Sequence, residues 1–461
     1  MSADHDLLRV REVLEALPGV AAAEVFRIAH GPVAAVAALV RGHHPPDPTT
    51  PGTPAPSPPY TGPDVTPAIA ALDRAAVLAM AHTLHGAGLF TPGNTHTATE
   101  ICERLRVPER HRWIIRRWLT ALTEHDLLAA VPAQARYGPL RAVTRAELGV
   151  AMVGLDAARR ELGYPPAMGR FLQTTLRALP ALVSGQRTVQ ASLFEGGATD
   201  TATGNYRDNV ISRHVNAVAA TAVAHAAGRA AGRPRVLEIG AGVGATTESV
   251  LSELGSVDYL FTDVSSFFLD AGRRRFAGRP GLRYTLVDIN APRSSRLAAE
   301  PPFDVILAAN VLHNARHATR GLALLRELLA PDGTLVFLES CREHAVLSTG
   351  MQFLMSARAD DPVPGFADFR AGGDRIFPTV GEWTTSLHAA GFDHVAVDPG
   401  PGDPLAAAGQ HVFTARPREP SRPRPDPGAV RAAAADLLPT ALAPIEVHAV
   451  DALAPSTVPA P

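Results

Sequence analysis

The sequence predicts an α/β fold built on an open, mostly parallel sheet. Three observations support this prediction. A glycine-rich turn, Gly240 to Gly244, joins an apolar run to a segment of helical character at 246–254. Two further apolar runs downstream end in the carboxylates Asp263 and Asp288. Apolar runs that alternate with helical segments are typical of βαβ units, whose strands are parallel.

The glycine-rich turn is the most informative stretch of the chain. The strand before it carries Glu238, and glycines follow at the alternate positions 240, 242 and 244. Glycine lets the backbone come close to a ligand, because a Cβ atom would collide with it. The next helix offers free N–H groups to an anionic group at its N-terminus. The spacing Gly240-x-Gly242-x-x-Ala245 also satisfies a dinucleotide-binding fingerprint, and a plain strand–helix connection is a further alternative.

Acidic residues end the strands around this turn. Asp263 lies about one βα unit downstream, where an acid can accept hydrogen bonds from ribose hydroxyls. Together, Glu238, Asp263 and Asp288 predict an acidic, hydrogen-bonding rim around the glycine turn. This rim favours a ligand that contains a nucleoside.

Two later strands bring a histidine and a glutamate to the same edge. Asn310 and His313 follow the fourth apolar run, which begins at Phe303, and Glu339 ends the fifth run, which begins at Thr334. Ligands bind at the carboxyl ends of the strands in open α/β sheets. A carboxylate beside an imidazole fixes its tautomer, so that the other ring nitrogen can take a proton. His313 and Glu339 are therefore the candidate catalytic residues; the alternative for His313 is a structural histidine.

These motifs together resemble a known family, the class I S-adenosylmethionine (SAM) methyltransferases. The resemblance rests on Glu238-x-Gly-x-Gly-x-Gly, on the acid of Phe-Thr-Asp263 and on Asp288-Ile289. More narrowly, Val236-Leu-Glu-Ile-Gly-Ala-Gly, Phe261-Thr-Asp-Val-Ser265 and Ala309-Asn-Val-Leu-His313 resemble the methyltransferase domains embedded in polyketide and nonribosomal peptide synthetases. The resemblance extends over residues 66–416 and implies a Rossmann-like core whose sheet has seven strands, the last of them antiparallel.

The resemblance also implies a cofactor and a set of residues that bind it. The cofactor is SAM, with S-adenosylhomocysteine (SAH) as its product; the turn approaches the methionine part, Asp263 holds the ribose and Asp288 lies near the adenine amino group. A tyrosine-bearing segment before a long helix at 210–226 suggests Tyr206 as a lid residue, with a packing role as the alternative. The candidate cofactor-binding residues are Glu238, Gly240, Gly242, Gly244, Asp263, Val264, Asp288, Ile289, Asn310 and Tyr206.

The reaction implied by the resemblance is C-methylation. SAM carries a strong electrophile, so the enzyme must place a nucleophile in line with the methyl group. A carbon acid next to a thioester or thiazoline must first lose a proton, and a positioned base supplies about 10²–10⁴-fold in rate. C-methylating domains of synthetases use a His and a Glu at the positions of His313 and Glu339. The alternative is N- or O-methylation of an aminoacyl intermediate.

Composition excludes several other classes of protein. At 461 residues the chain suits two or three domains, and its net charge of −2 gives no reason to expect nucleic acid or an anionic membrane. Cys102 and Cys341 form neither a disulfide framework nor a metal-ligand spacing, so no metal is predicted. Cys341 follows Glu339 closely, but methyl transfer needs no covalent intermediate, so no nucleophilic role is expected. Without a signal peptide or an apolar run of membrane-spanning length, the sequence predicts a cytoplasmic protein.

The region before the core is predicted to be helical. Helical patterns extend over 65–128 and 148–182, and Thr97-Ala-Thr-Glu100 is a capping box that opens a helix. The first pattern is winged-helix-like, and it is either a lid or a surface through which a homodimer forms. A cluster of arginines at 106–117 raises DNA binding by a SAM-sensing regulator as an alternative, which the near-neutral net charge disfavours. His317 and His344 are expected to be surface residues.

The two chain ends resemble the small C-terminal subdomain of an adenylation domain, split by the insertion of the methyltransferase. The first half contains a helix at 7–17 and strands at 21–28 and 33–40; the second contains a helix at 430–438 and a strand after Pro444. An adenylation domain carries a lysine in its final loop, and this chain contains no lysine. The ends are therefore predicted to be a relic, a scaffold or a docking surface without adenylation chemistry.

Pro-rich segments mark the predicted domain boundaries. The domains are 1–42, half of the adenylation-like subdomain; 43–64, a linker; 65–200, the lid or winged-helix-like region; 201–416, the methyltransferase core; 417–428, a Pro/Arg linker; and 429–461, the other half. The predicted partners are a peptidyl or acyl carrier protein and other synthetase modules. The remaining alternative to an enzyme is a non-catalytic scaffold in a thiotemplate assembly line.

Overall fold

The computed structural model describes most of the chain. The described residues are 13–14, 20–30, 33–42, 58–189, 200–290, 297, 299–355, 365–418, 432 and 445–450. One compact unit is Pro54–Pro417, and a second combines Met1–Thr53 with Arg418–Pro461. Most of the predicted helices at 7–17 and 430–438 and most of both Pro-rich linkers lie outside the described residues.

The strands follow the predicted alternation with helices. In chain order they are β1 (Val20–His30), β2 (Val33–Gly42), β3 (His96–Thr97), β4 (Leu128–Val131), β5 (Arg136–Leu140), β6 (Arg235–Ile239), β7 (Asp258–Asp263), β8 (Leu282–Leu286), β9 (Phe303–Ala309), β10 (Leu329–Ser340), β11 (Phe392–Asp398), β12 (Gln410–Pro417) and β13 (Ile445–Val450).

The α-helices are α1 (Thr66–Gly86), α2 (Ala98–Arg104), α3 (Arg112–Glu124), α4 (Arg145–Glu161), α5 (Pro166–Arg177), α6 (Leu179–Val183), α7 (Asp200–Tyr206), α8 (Val210–Ala227), α9 (Ala245–Glu253), α10 (Ser266–Arg275), α11 (Ala318–Leu328) and α12 (Val380–Ala389). The segment at 351–355 is a short 3₁₀ helix.

A seven-stranded sheet forms the centre of the larger unit, in the order β11-β12-β10-β9-β6-β7-β8. Neighbours from β10 to β8 are parallel, and β12 is antiparallel to both β10 and β11. This confirms the predicted Rossmann-like sheet with an antiparallel final strand. The chain passes from β6 out to β8 and then returns to β9 on the other side of β6. The crevice at this change of direction is where open α/β sheets bind ligands.

Both faces of the sheet are buried, which explains why its central strands read as continuous apolar runs. On one face, Leu237, Ile306 and Phe337 pack with residues of α11 and α12. On the other face, Val236 and Val305 pack with residues of α8 and α9. The strands are held rigidly between helices, so the loops at their carboxyl ends are fixed in position.

The region before the sheet contains several helices and a second, smaller sheet. Its winged-helix-like identity stays a prediction. A small antiparallel sheet, β3-β5-β4, accompanies α2 and α3. The predicted capping box is present: the Thr97 hydroxyl accepts from the Glu100 N–H, and Glu100 accepts from the Thr97 N–H. The long helix α1 packs against α4 and shares one hydrophobic core with Ala345 and Phe353 of the sheet region. This shared core brings α1 close to the crevice.

The unit formed by the chain ends contains a three-stranded sheet, β1-β2-β13. β1 and β2 form an antiparallel hairpin, and β13 pairs in parallel with β2. Strands from opposite ends of the sequence therefore share one sheet. The adenylation-like identity of this unit stays a prediction.

Candidate active site

A large cavity of about 710 Å³ opens at the carboxyl edge of the central sheet. Its walls come from the ends of β6 to β10, from α7 and α8, and from α1. Most of the predicted site residues line it: Tyr206, Gly240, Gly242, Asp263, Val264, Asp288, Ile289, Asn310 and His313. Glu238, Gly244 and Glu339 do not line it.

The glycine turn follows β6 and forms the floor of the cavity. Gly240 and Gly242 have φ values of +63° and +55°, which favour glycine. A Cβ atom on Gly240 would lie 2.5 Å from Cγ2 of Val311, so the turn packs tightly against the loop after β9. A Cβ atom on Gly242 would meet nothing within 4 Å, because that position faces open space. The turn therefore leaves room for a ligand above Gly242.

Asp263, at the end of β7, holds the turn in place. Its Oδ2 accepts from the N–H of Gly242 at 2.9 Å, and its Oδ1 accepts from the N–H of Ser265 at 2.9 Å. Burial raises the pKa of this carboxyl, although these backbone N–H groups oppose the shift. Each oxygen keeps a further lone pair for a ligand. Asp288 is exposed in the loop beyond β8, because that strand ends at Leu286, earlier than predicted.

The prediction that Glu238 belongs to the rim of the cavity is wrong. Its side chain is 1% exposed and points beneath the turn, where Oε2 accepts from the hydroxyls of Thr247 and Tyr259, both at 2.7 Å. It therefore ties β6 to α9 and β7 without facing the cavity. Gly244 also lies away from the cavity, and its Cβ atom would collide with the ring of Phe276. Alternation along β6 explains the error for Glu238, because neighbouring side chains face opposite sides of the sheet. Gly244 lies outside the strand, at the start of α9.

Glu238 should make the stability of the protein depend on pH. Burial raises the pKa of this carboxyl to about 7, from 4.5. A raised pKa means that the protonated form is favoured on folding, so the stabilising contribution of Glu238 is complete below pH 4.5 and is lost as the pH rises towards 7. This loss amounts to about 3 kcal/mol. In Glu238→Gln, the amide oxygen can keep both hydroxyl bonds without the charge.

Denaturant unfolding of the wild type and Glu238→Gln at several pH values between 5 and 8 measures this effect. We expect the free energy of unfolding of the wild type to fall relative to that of the variant between pH 5 and 7, and to change little above pH 7. A difference between the two proteins that is the same at every pH would contradict the prediction.

His313 and Glu339 form a direct pair. His313 Nδ1 lies 2.6 Å from Glu339 Oε2, and both side chains are buried. Glu339 Oε1 accepts from the N–H groups of Val311 at 2.9 Å and Leu312 at 2.6 Å. When the imidazole is neutral, the carboxylate keeps its proton on Nδ1 and leaves Nε2 as the acceptor, and His313 lines the cavity. Asn310, whose φ is +52°, turns the chain so that this loop can reach Glu339.

A buried arginine holds the loop that carries His313. Arg370 is 2% exposed, and its guanidinium donates to the carbonyl oxygens of His313, Ala315 and Ile376 at 2.7, 2.7 and 2.9 Å. Its Nε and Nη2 also bind Asp368 at 3.0 and 2.7 Å. The guanidinium thus joins the loop that carries His313 to the segment before α12. No periodic pattern surrounds this arginine in the sequence, so sequence reasoning missed it.

Arg370→Lys is expected to lower kcat about 10- to 100-fold without changing the affinity for SAM, because a lysine cannot reach three carbonyl groups and His313 would shift. Steady-state kinetics and SAM titration measure the two quantities. Arg283→Lys is the matched control, since Arg283 makes similar paired bonds to Asp258 and Glu300 but does not line the cavity. Equal losses in both variants would mean that the effect is general destabilisation.

The far end of the cavity is largely apolar. Its walls include Leu347, Met351, Leu354 and Phe377. The Phe377 ring contacts that of His313 edge-to-face, with centroids 5.0 Å apart. In the segment at 351–355, Met351 and Met355 line the cavity and Phe353 packs in the core. This end can receive an apolar acceptor beside the imidazole.

The segment with Tyr206 closes the cavity from the side of α7 and α8. Asn209, which is fully buried, caps α8 and donates to the carbonyl oxygens of Gly204 and Asn205. Asn216 donates to the carbonyl oxygen of Tyr206 at 2.8 Å and accepts from the hydroxyl of Thr246 at 2.8 Å. These bonds fix Tyr206 against the start of α9. Asn209 was recognisable from the sequence as a helix cap, but Asn216 had no such signal.

His344 is buried, so its prediction as a surface residue is wrong. Its Nδ1 lies 3.1 Å from Asp73 Oδ2 on α1, and its Nε2 lies 3.0 Å from the Ala408 carbonyl oxygen. His344 therefore ties α1 to two loops beside the cavity. Cys341 is also buried, which raises the pKa of its thiol far above its ordinary value and agrees with the absence of a nucleophilic role.

Residues 237–335 match the family model described as a methyltransferase domain. This match includes the glycine turn, Asp263, Asp288 and His313. The chain carries a methyltransferase domain. The described residues contain no group of three or more His, Cys, Asp or Glu side chains placed to bind a metal ion. None of the helices in the described ranges has both the length and the apolar character needed to cross a bilayer.

Relatives of this methyltransferase domain occur within large synthetases. The chain is 32% identical over 367 residues to pyochelin synthetase PchF of Pseudomonas aeruginosa, an alignment of 76% of this chain and 19% of that protein. It is 35% identical over 239 residues to polyketide synthase ThaG of Burkholderia thailandensis, covering 50% of this chain and 4% of that protein. The chain therefore spans a fifth or less of the length of these relatives.

Solved structures of similar shape share the fold of the methyltransferase domain. The CurJ carbon methyltransferase matches with a TM-score of 0.67 at 23% identity, covering 76% of this chain and 92% of that one. The DszA carbon methyltransferase matches with a TM-score of 0.65 at 24% identity, covering 77% and 92%. The trans-methyltransferase CalH, in complex with SAH, matches with a TM-score of 0.55 at 21% identity, covering 78% and 93%.

Proposed function

We propose that this domain transfers the methyl group of SAM to a carbon next to a thioester or thiazoline, in an intermediate tethered to a carrier protein. The observation that carries the proposal is the His313–Glu339 pair at the wall of the cavity. Neutral amines need no base in order to attack a methyl donor, whereas carbon acids do. A buried imidazole with a free Nε2 fits this need.

SAM fits the residues of the glycine turn. The open space above Gly242 would take the methionine part, and Asp263 keeps lone pairs for ribose hydroxyls. Asp288 and Ile289 line the same end of the cavity, where an adenine would lie. SAM supplies the methyl group as an electrophile. The apolar end beyond His313 is left for the acceptor.

The residues of this chain have separate tasks in the proposed reaction. His313 Nε2 takes the proton from the acceptor carbon, and Glu339 stabilises the imidazolium that forms. Arg370 and the N–H bonds to Glu339 Oε1 hold both groups in place. Tyr206 covers the cavity and excludes water. Positioning of this kind contributes most when reacting atoms are held in near-attack geometry.

The proposed setting is a thiotemplate assembly line with a peptidyl or acyl carrier protein as the partner. Pyochelin synthetase and the polyketide synthases, the relatives of this chain, are large synthetases. We further propose that the unit with β1, β2 and β13 is the remnant of an adenylation subdomain split by the methyltransferase. The pairing of strands from both chain ends supports this idea.

Proton exchange at the acceptor carbon tests the proposal. A 3-ketoacyl thioester of phosphopantetheine is incubated with the protein and SAH in deuterium oxide, and separately with SAM in water. We expect deuterium at the α-carbon in the first mixture and one added methyl group there in the second, both by mass spectrometry. Methylation of a nitrogen or oxygen of an aminoacyl thioester, without α-carbon exchange, would favour the alternative reaction. Failure to bind SAM at all would favour a scaffold.

A further inference from the structure

A second cavity of about 300 Å³ lies next to the reaction cavity. The two share the side chains of His344 and Phe377 in their walls. Because the Phe377 ring lies against that of His313, the second cavity ends one side chain away from the candidate base. Its other walls come from α1, α3 and the loop after β10.

Among the residues that the structure describes, one buried acceptor in this second cavity has no partner. Gln352 is 1% exposed, and its Nε2 donates to Glu343 Oε2 at 2.6 Å. Glu343 Oε1 accepts from the N–H groups of Ile376 and Phe377 at 2.7 and 3.0 Å. A carboxylate only accepts hydrogen bonds, so the amide of Gln352 must point its nitrogen, and not its oxygen, towards Glu343. This fixes the orientation of the amide. Within the described ranges, Gln352 Oε1 then accepts no hydrogen bond. A buried acceptor without a donor is costly, which indicates a ligand with an N–H or O–H group.

Some of the charged side chains along this cavity have hydrogen-bond or ion-pair partners, and others do not among the described residues. Asp73 accepts from His344 and from a backbone N–H, and Arg375 is paired with a glutamate of α12 at 2.6 Å. Arg342 is exposed at the cavity and forms no ion pair among the described residues, and the exposed Glu124 lies on the same lining. Arg342 is therefore available to an anionic group that reaches the mouth from outside.

We propose that the second cavity binds the phosphopantetheine arm that carries the acceptor. An amide N–H of the arm would donate to Gln352 Oε1, and its phosphate would bind Arg342. The thioester end would pass Phe377 and reach His313 in the reaction cavity. The arm is thin, carries amide groups along its length and ends in a phosphate, which matches a polar cavity with one inner acceptor and an arginine at the mouth. This inference rests on the proposed function, because it assumes an acceptor held as a thioester.

Binding of the bare arm tests the proposal without any methyl transfer. The full chain, saturated with SAH, is titrated calorimetrically with 4′-phosphopantetheine and with pantetheine. We expect saturable binding of phosphopantetheine, and pantetheine to bind about tenfold more weakly because it lacks the charge-assisted bond. Arg342→Gln should remove this difference, whereas Arg145→Gln, at an exposed position that lines neither cavity, should keep it.

The variant Gln352→Met tests whether the amide oxygen at the inner end of the second cavity binds the arm. We expect both ligands to bind this variant about tenfold more weakly, with unchanged binding of SAH, since Gln352 does not line the reaction cavity. Equal affinity of wild type and Gln352→Met for pantetheine would overturn the proposal. So would a difference in affinity between phosphopantetheine and pantetheine that remains in Arg342→Gln. If coenzyme A bound tenfold more tightly than phosphopantetheine, the arm would come from coenzyme A and not from a carrier protein. Loss of SAH binding by the wild type, in contrast, is a failure of the proposed function and not of the arm site.

Discussion

His313→Ala is expected to lower the rate of methyl transfer by about 10²–10⁴-fold, the usual contribution of a positioned general base. The pair with Glu339, at 2.6 Å, leaves Nε2 as the proton acceptor, and alanine provides no group in its place. Deuterium exchange at the acceptor carbon should fall by the same factor, because both measurements depend on one proton transfer. Affinity for SAM should change little, since the glycine turn and Asp263 are intact.

The control for this experiment is His225→Ala, at an exposed position of α8 that does not line the cavity. It removes an imidazole without touching the proposed base. Glu339→Gln should also be slow, because an amide can donate to Nδ1 and favour the wrong tautomer. Full methylation activity in His313→Ala would remove the base from the mechanism and return His313 to a structural role.

Gly242→Arg is expected to abolish saturable binding of SAM. The space above Gly242 is open, and its φ of +55° points any side chain towards the region proposed for the methionine part. An arginine would fill that space and bring a positive charge near the sulfonium. We expect the dissociation constant to rise by at least about 100-fold, equivalent to about 2.7 kcal/mol. Calorimetric titration measures this directly.

Gly255→Arg is the control for the added arginine itself, because a Cβ atom there also meets nothing within 4 Å and the residue lies outside the cavity. Thermal unfolding gives an independent measurement. A ligand at 100 times its dissociation constant stabilises the folded state by about 2.7 kcal/mol, so SAM should raise the Tm of the wild type and of Gly255→Arg, but not that of Gly242→Arg. Equal stabilisation of all three proteins would place the cofactor elsewhere.

Much of the core could be predicted because its signals are local. A strand, a tight turn and a helix leave their pattern within a dozen residues, as at Gly240–Gly244. Acids at strand ends, such as Asp263, can be recognised because parallel strands present their carboxyl ends along one edge. The same argument predicted that His313 and Glu339 would meet, although 26 residues separate them.

The errors came from properties that a linear pattern does not carry. Glu238 ends a strand as Asp263 does, but its side chain turns beneath the sheet and bonds Thr247 and Tyr259. His344 looks like a surface loop residue, and it is buried because α1, more than 250 positions earlier, covers it with Asp73. Burial of this kind depends on how distant segments pack.

The sequence alone therefore determined the type of sheet, the glycine turn and the pairing of His313 with Glu339, since each follows from local patterns or from strand polarity. The tertiary structure decided which side chains face the cavity, where Arg370 binds the loop of His313, and that Gln352 Oε1 has no donor among the residues that the structure describes. These features depend on contacts between segments far apart in the chain. Their geometry is set only when the helices and the sheet are packed together.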